Sequence, residues 1–188
     1  MTHDDAMRQA LWQRLDVQGH DACRLVELAS GWLLQGTAVF LEANAPACLS
    51  YEVSCDTQWI CQSARVHGFH GGRSLDIRIE RDSAGHFTLD GVPSELPAGL
   101  DLDLGFTPAT NLIQLRRLDL RVCQAADAPA AWLDLGSDSL TLLEQQYERL
   151  GPSHYWYEAP RVPYAATLEV SATGFVRSYP RLWQLASP

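Results

Sequence analysis

The sequence predicts a mainly β protein built as one domain across residues 1–188. Two observations carry this. Apolar and polar residues alternate with period two through most segments, as in half-buried strands. Turn residues interrupt those segments every roughly 8–12 residues, the spacing of an antiparallel sheet, roll or barrel. The length suits one core, and no internal repeat, low-complexity tract or interdomain linker stands out.

The elements follow in order. Residues 12–17 carry Trp12 and Leu15, and residues 22–29 carry Leu25, Val26 and Leu28. Residues 32–42 bring Trp32, Leu34, Ala38 and Phe40, with Gly31 and Gly36 as bend or bulge sites. Residues 48–55 alternate Leu49, Tyr51, Val53 and Cys55 with Ser50, Glu52 and Ser54. Strict alternation over 59–69 puts Trp59, Cys61, Ser63, Arg65, His67 and Phe69 on one face, and Ile60, Gln62, Ala64 and Val66 on the other. A Gly71-Gly72 turn leads into 74–81, and Asp82 to Gly85 forms a hairpin turn before Phe87 and Leu89. Asp90-Gly91 turns again, and Ala125 to Ala131 reads as a loop. Residues 138–150 have helical spacing at Leu140, Leu143, Tyr147 and Leu150, with Asp138 as cap and Gly151 as stop. Tyr155 to Tyr157 and Tyr164 to Val170 are extended. Thr173-Gly174 turns, and one last strand runs from Phe175 to Trp183 with Pro180 near its end.

The densest local design lies between Leu100 and Leu120. Leu100, Leu102 and Leu104 alternate with Asp101 and Asp103, and Gly105 ends the strand. Thr107 then reads as a helix cap with Pro108 at the first helical position, where no N–H is needed. A short helical turn near 107–112 is expected. From Leu115 the chain reads as extended, which turns Arg116 inward with Leu118, Leu120 and Val122. A buried guanidinium needs a paired acceptor. Asp101 and Asp103 are the nearest in sequence.

Composition narrows the function classes. The net charge of −9 and pI near 5.0 argue against a general nucleic-acid binder and a protein of anionic membrane surfaces, although the adjacent Arg116 and Arg117 allow an uneven distribution of charge. All 14 basic residues are Arg. No apolar run approaches the ~18 residues of a membrane span. The first residues are acidic and lack an apolar stretch, so a secretory leader is not expected. With five cysteines in reduced form, the expected compartment is the cytoplasm.

Candidate chemistry is sparse. Cys55, Cys61, His67 and His70 have a metal-like order, but tetrahedral zinc favours ligands paired on tight knuckles. Core thiols and a loop histidine are the plainer reading, and no metal or cofactor is expected. The run His67 to Arg73 reads as a hairpin loop. Asp101 and Asp103 lie about 6–7 Å apart along a strand, which suits acid–base hydrolysis in principle. A solvated face or an arginine partner is the simpler account. No nucleophile elbow, metalloprotease motif or dinucleotide fingerprint occurs, and no catalytic residue is assigned. Tyr155, Trp156, Tyr157, Tyr164, Tyr179 and Trp183 form an aromatic set suited to core packing or to the rim of an amphipathic pocket.

The run Thr107-Pro-Ala-Thr-Asn-Leu-Ile-Gln-Leu-Arg-Arg-Leu-Asp-Leu120 resembles the Thr-Pro-x-Thr-Asn…Arg-Arg-Leu signature of the putative glycolipid-binding family of bacterial proteins. Further landmarks agree in order: Tyr51-Glu-Val with Trp59, Leu100-Asp-Leu-Asp, Ala131-Trp132, Gln145 and Gln146 before Tyr147, Gly174-Phe-Val, and Tyr179-Pro180. The resemblance implies a spiral β-roll, an incomplete barrel of many antiparallel strands, similar in shape to bacterial lipoprotein carriers. It also implies an extended chain over 138–147, where family members commonly carry prolines, against the local helical spacing. Gln114 stands where the family often has proline.

The implied function is non-catalytic binding of a lipid or glycolipid, with acyl chains in the concave face. The residues expected to meet the head are Arg116, Arg117, Asn111, Asp101 and Asp103, with Tyr155 and Tyr179 from the aromatic set. Two alternatives are a structural or protein-interaction module and, less favoured, a hydrolase using Asp101 and Asp103. No oligomeric state follows from the residues.

Overall fold

The computed structural model describes residues 8–186, so most of the leader reading lies outside the described residues. The first eight strands form an antiparallel meander: β1 (Gln9–Arg14), β2 (Gly19–Leu28), β3 (Gly31–Glu42), β4 (Ala45–Cys55), β5 (Cys61–His70), β6 (Arg73–Arg81), β7 (Phe87–Leu89) and β8 (Val92–Pro93). Then come β9 (Asp101–Leu104), the helix α1 (Asn111–Leu118), β10 (Ala125–Asp127), β11 (Ala130–Leu133) and β12 (Thr141–Leu143). A second meander closes the chain: β13 (Gln146–Arg149), β14 (His154–Ala159), β15 (Tyr164–Val170), β16 (Val176–Tyr179) and β17 (Trp183–Leu185).

The two meanders join because β17 pairs antiparallel with β1, placing Trp12 opposite Leu185 and Arg14 opposite Trp183. The result is a 14-stranded sheet ordered β10-β13-β14-β15-β16-β17-β1-β2-β3-β4-β5-β6-β7-β8. It does not close into a barrel, because β8 and β10 remain its edges. A separate sheet runs β12-β11-β9, with β11 parallel to β9.

Strand residues alternate as the sequence predicts. In β2, Asp21, Cys23 and Leu25 are buried while His20, Ala22 and Arg24 are exposed. In β4, Ala47, Leu49, Tyr51, Val53 and Cys55 all face inward. Strict alternation fails in β5. Cys61 is buried, yet so are Ala64 and Val66, while Arg65 and His67 are exposed. The register slips between Ser54 and Cys55, so that Cys55 faces Cys61 while Ser54 faces Ser63. The extra residue is Gln62, and a bulge of this kind swaps the faces on either side of it.

Segment 138–150 is extended, giving β12 and β13, as the resemblance implies over 138–147 and the local spacing does not. The last expected strand is two strands, because the chain turns at Pro180–Leu182 with Arg181 at φ 66°. Leu182 N donates to Tyr179 O there at 2.9 Å.

The largest departure is at 107–120. The helix starts at Asn111, later than expected, and runs through Leu118. Thr107 does not cap it. Thr107 Oγ1 instead accepts from Ala109 N at 3.0 Å in a turn leading into the helix. Leu112, Leu115 and Leu118 recur at helical spacing, and Arg116 and Arg117 sit in the last turn, where cations favour the helix dipole. Asp119 closes the helix in the left-handed region, its N–H donating to Leu115 O at 3.2 Å. The helical turn exposes Arg116 rather than burying it.

This middle segment fills the inner face of the sheet. Strand β9 is buried on both faces, not half-buried, and Leu102, Leu104, Leu112 and Ile113 have no solvent exposure. Each such side chain contributes about 1.5–3 kcal/mol of burial. Trp12, also fully buried, donates from Nε1 to Val176 O at 2.6 Å.

Gly36 faces Tyr51 across β3 and β4, and a Cβ at Gly36 would overlap the end of the Tyr51 ring. That ring is held by hydrogen bonds and cannot step aside freely. Gly36→Ala is expected to lower unfolding free energy by about 1–3 kcal/mol in urea titrations, the usual cost of overpacking.

Candidate functional site

Two polar clusters lie under the inner face, and both are assembled by the segment around β9 and α1. In the first, Asp21 on β2 accepts from the Tyr51 hydroxyl at 3.0 and 3.2 Å and from the Thr107 hydroxyl. Asp21 and Thr107 come from parts of the chain far apart in sequence. Burial raises the Asp21 carboxyl to about 6, and the Thr107 and Tyr51 hydrogen bonds hold back part of that rise.

The second cluster gathers several residues singled out from the sequence. Arg117 donates from Nε and Nη2 to the two oxygens of Asp101, both at 2.7 Å. This is a bidentate fork, the strong form of an arginine–carboxylate pair. Asp101 is buried and Arg117 half-buried, and the pair holds the end of α1 to β9. Both oxygens of Asp101 are thereby engaged, so it is not set up as a free base beside Asp103.

Asn111 Nδ2 donates to the Tyr147 hydroxyl at 2.7 Å, and Tyr147 donates to Gln114 Oε1 at 2.7 Å. Tyr157 donates to Gln145 Oε1 at 2.7 Å. Tyr157 and Tyr179 stack edge-on at 5.6 Å, and Tyr179 meets Tyr164 at 5.2 Å. Asp103 sits among these groups. Burial raises its carboxyl to about 7 and the charge of Asp101 adds to the rise; the Gln114 amide opposes it, although Gln114 Nε2 makes no well-formed hydrogen bond. Burial also pushes Tyr147, Tyr157 and Tyr179 upward, keeping their hydroxyls protonated as donors.

Of the residues expected to meet a ligand, Asp101, Asp103, Asn111, Arg117 and Tyr179 thus meet inside the roll. Arg116 and Tyr155 do not join them. Arg116 points outward, donating from Nε to Thr173 O at 2.8 Å and from Nη2 to Ala172 O at 3.2 Å. It does not point inward, and it pairs with no carboxylate among the described residues. Tyr155 lies beneath the Arg149 guanidinium at 5.4 Å.

Sequence reasoning missed Asp21, Gln114 and Gln145. Asp21 carried a usable signal, since it falls in the inward phase with Cys23 and Leu25. Cys55 and Cys61 face each other, but His67 is exposed and His70 meets Glu42 at 3.2 Å. Among the described residues, no group of three or more His, Cys, Asp or Glu could hold a metal ion.

The open edge of the sheet leaves a cleft of about 690 Å³ between the β7–β8 hairpin and β12. Leu89, Val92, Leu96, Leu140 and Leu142 make its apolar wall, with Val92 66% exposed. Asp90, Glu95 and Asp138 stand among its polar lining. Two further lining groups, Ser94 Oγ and Thr141 Oγ1, are buried hydroxyls without a hydrogen-bond partner.

A large open sheet folded around one helix and a small three-stranded sheet, with a polar layer sealed inside, defines a mainly β open roll. The chain belongs to the putative glycolipid-binding family, whose model matches residues 9–185. The fold is similar to the crystal structure of a DUF1089 family protein from Pseudomonas aeruginosa, with TM-score 0.76 and 26% identity, covering 87% of this chain and 91% of that one. Comparison with curated proteins gives no match. Among the described residues, no helix is long and apolar enough to cross a membrane.

The Asp103 carboxyl makes stability depend on pH. Its folded value near 7 lies above the ordinary 3.8, so between those values the folded protein keeps a proton that the unfolded chain has lost. Stability therefore falls as pH rises through that window. Asp103→Asn is expected to flatten the fall and to be more stable than wild type at about pH 8 by on the order of 2–4 kcal/mol, with roughly a third of that gain at about pH 5, in urea unfolding. Asp21 retains a slope of the same sign in the variant.

Proposed function

We propose that this protein binds an amphipathic molecule of the glycolipid kind without transforming it. The cleft between β8 and β12 takes the apolar chain, and the polar groups along it meet a sugar-like head. The observation that carries this reading is the pairing of an exposed apolar wall with two buried, unpartnered hydroxyls, Ser94 Oγ and Thr141 Oγ1. A purely apolar partner would leave those hydroxyls unsatisfied, and a purely polar one would leave the leucines in water. The volume lies within the range of about 300–1,000 Å³ usual for small-molecule sites.

Charge refines the head group. Asp90 and Glu95 disfavour a phosphate or carboxylate there, and accept well from sugar hydroxyls, whereas Asp138 is paired with Arg73. The concave face, where the resemblance puts the acyl chain, is occupied by β9, α1 and side chains such as Leu102 and Ile113. Binding at the open edge needs no opening of that core. The polar cluster around Asp103 then serves by holding β9, and through it β11 and β12, which form the far wall of the cleft.

The test is a direct search for bound lipid. Protein purified from a bacterial host and extracted with organic solvent is expected to release near-stoichiometric lipid by mass spectrometry. Val92→Glu, at an exposed position, is expected to cut that occupancy by about tenfold, as for ~1.4 kcal/mol of lost affinity, with an unchanged unfolding midpoint. Finding no lipid, together with no uptake from micelles of a neutral glycolipid, would overturn the reading.

A further inference from the structure

A second hollow, of about 240 Å³, lies at the other end of the large sheet. Its principal walls are Arg8, Trp32, Trp59 and Arg116. Trp59 stands in the β4–β5 turn, whereas Asp138 of the cleft pairs with Arg73 beside the β5–β6 hairpin. The ten residues of β5 lie between these two turns, about 33 Å of strand. The hollow is therefore independent of the cleft and of its proposed ligand.

The hollow is built from several elements. Trp32 on β3 and Trp59 stack in parallel, with centroids 4.6 Å apart and planes inclined by 12°. Trp59 takes φ 66°, a left-handed conformation that bulky residues rarely adopt. Asp56 enforces it: Asp56 Oδ1 accepts from Gln58 N at 2.8 Å and Ile60 N at 2.9 Å, and Asp56 O accepts from Trp59 N at 3.2 Å. A guanidinium lies over each indole, Arg8 at 5.5 Å from Trp32 and Arg116 at 5.8 Å from Trp59. Such cation–π contacts fix the planes of the guanidiniums without using their N–H groups.

Arg116 is held along one edge only. Its Nε and Nη2 reach Thr173 O and Ala172 O, while Nη1 has no hydrogen-bond partner among the described residues. Gly174, at φ 104°, leaves room for this pose; a Cβ there would come within 3.2 Å of Arg116 Nε. Arg8 is paired with Glu27 at 3.0 Å, an exposed carboxylate. Neither Trp32 nor Trp59 spends its indole N–H on a hydrogen bond among the described residues. The polar side chains of these four walls are thus all donors, two of them cationic, with Arg8 sharing its charge with Glu27, and Thr173 completes the polar lining, in a chain of net charge −9.

We propose that this hollow binds a phosphate ester. Two guanidiniums from separate elements suit a tetrahedral group with several oxygens, whereas a carboxylate is saturated by one fork. The volume admits the phosphate and a small polyol, not an acyl chain. The ester is either a soluble metabolite or the head of a phospholipid, and the same donors recognise both.

The experiment uses the full chain and follows tryptophan fluorescence and calorimetric titration. Three probes are compared: inorganic phosphate, glycerol phosphate, and vesicles of phosphatidylglycerol in phosphatidylcholine against phosphatidylcholine alone. Saturable binding of glycerol phosphate, weakened by salt, is expected. Arg116→Gln should weaken it by about tenfold or more, the usual loss for a charge-assisted hydrogen bond. Arg116→Lys should weaken it too, because it keeps the charge and loses the fork; both variants should keep the wild-type unfolding midpoint. Val92→Glu, in the cleft, should leave it unchanged. Binding to the anionic vesicles alone would assign the site to a lipid head, and binding to the soluble ester would assign it to a metabolite. No binding by any probe, or equal binding by wild type and both Arg116 variants, overturns the proposal, whatever the outcome of the lipid search.

Discussion

A sheet that winds without closing has an inner face too wide for its own side chains to fill. Everything else in this structure depends on how that face is filled. The solution is one continuous segment, β9 through α1, inserted between the two meanders in sequence and beneath both in space. Its apolar residues supply the bulk. Its polar residues fix the orientation, with Thr107 reaching Asp21 and Tyr51 on one half and Asn111 and Gln114 reaching Tyr147 on the other. An apolar plug could rotate or slide. A plug hydrogen-bonded to both halves has one seating, because each misplaced donor or acceptor would be buried unpaired.

The same layer explains why carboxylates survive so deep inside. Asp101 is met at both oxygens by Arg117. Asp21 is met by two hydroxyl donors, and Asp103 lies among tyrosines with carboxylate affinity for protons raised toward neutrality. Three buried acids are thus handled in three ways: paired, solvated by hydroxyls, or held close to neutral. The outer surface distributes its charge differently, with carboxylates along the open edge and two guanidiniums, Arg8 and Arg116, at the opposite end of the sheet.

Much of this was legible in the residues. Period two located the long strands and most turns, because those strands have one wet face. It failed where that condition fails. Strand β9 is buried on both sides, so Asp101 and Asp103 mimic an exposed face. Helix α1 was misread because Leu118 and Leu120 also fit an extended pattern, and the polar Gln114 interrupts the apolar face at a fully buried position. The bulge at Gln62 cannot be seen in β5 alone, since it exists only relative to β4. The pairing of Arg117 with Asp101 was foreseen in kind, but assigned to the neighbouring arginine; one residue of rotation on a helix separates the two. Trp59 gave no sequence signal for its left-handed backbone, which is set by Asp56 and seen only in three dimensions.

The junction of β1 with β17 has a bearing on how the molecule comes into being. It lies in the interior of the sheet order, with β10 and β13 to β16 on one side and β2 to β8 on the other, yet it joins residues as distant as Trp12 and Leu185. Most other pairings in the large sheet are between neighbours in sequence and can form as local hairpins. This one must wait until the residues of β17 have been made. The first meander therefore emerges and persists for a time with β1 unpaired on its outer side, a raw edge in the middle of the future sheet. Closing a loop of that length is slow compared with forming hairpins. The most vulnerable moment for this protein is thus during its own synthesis, before β17 arrives to cover the strand with which the fold began.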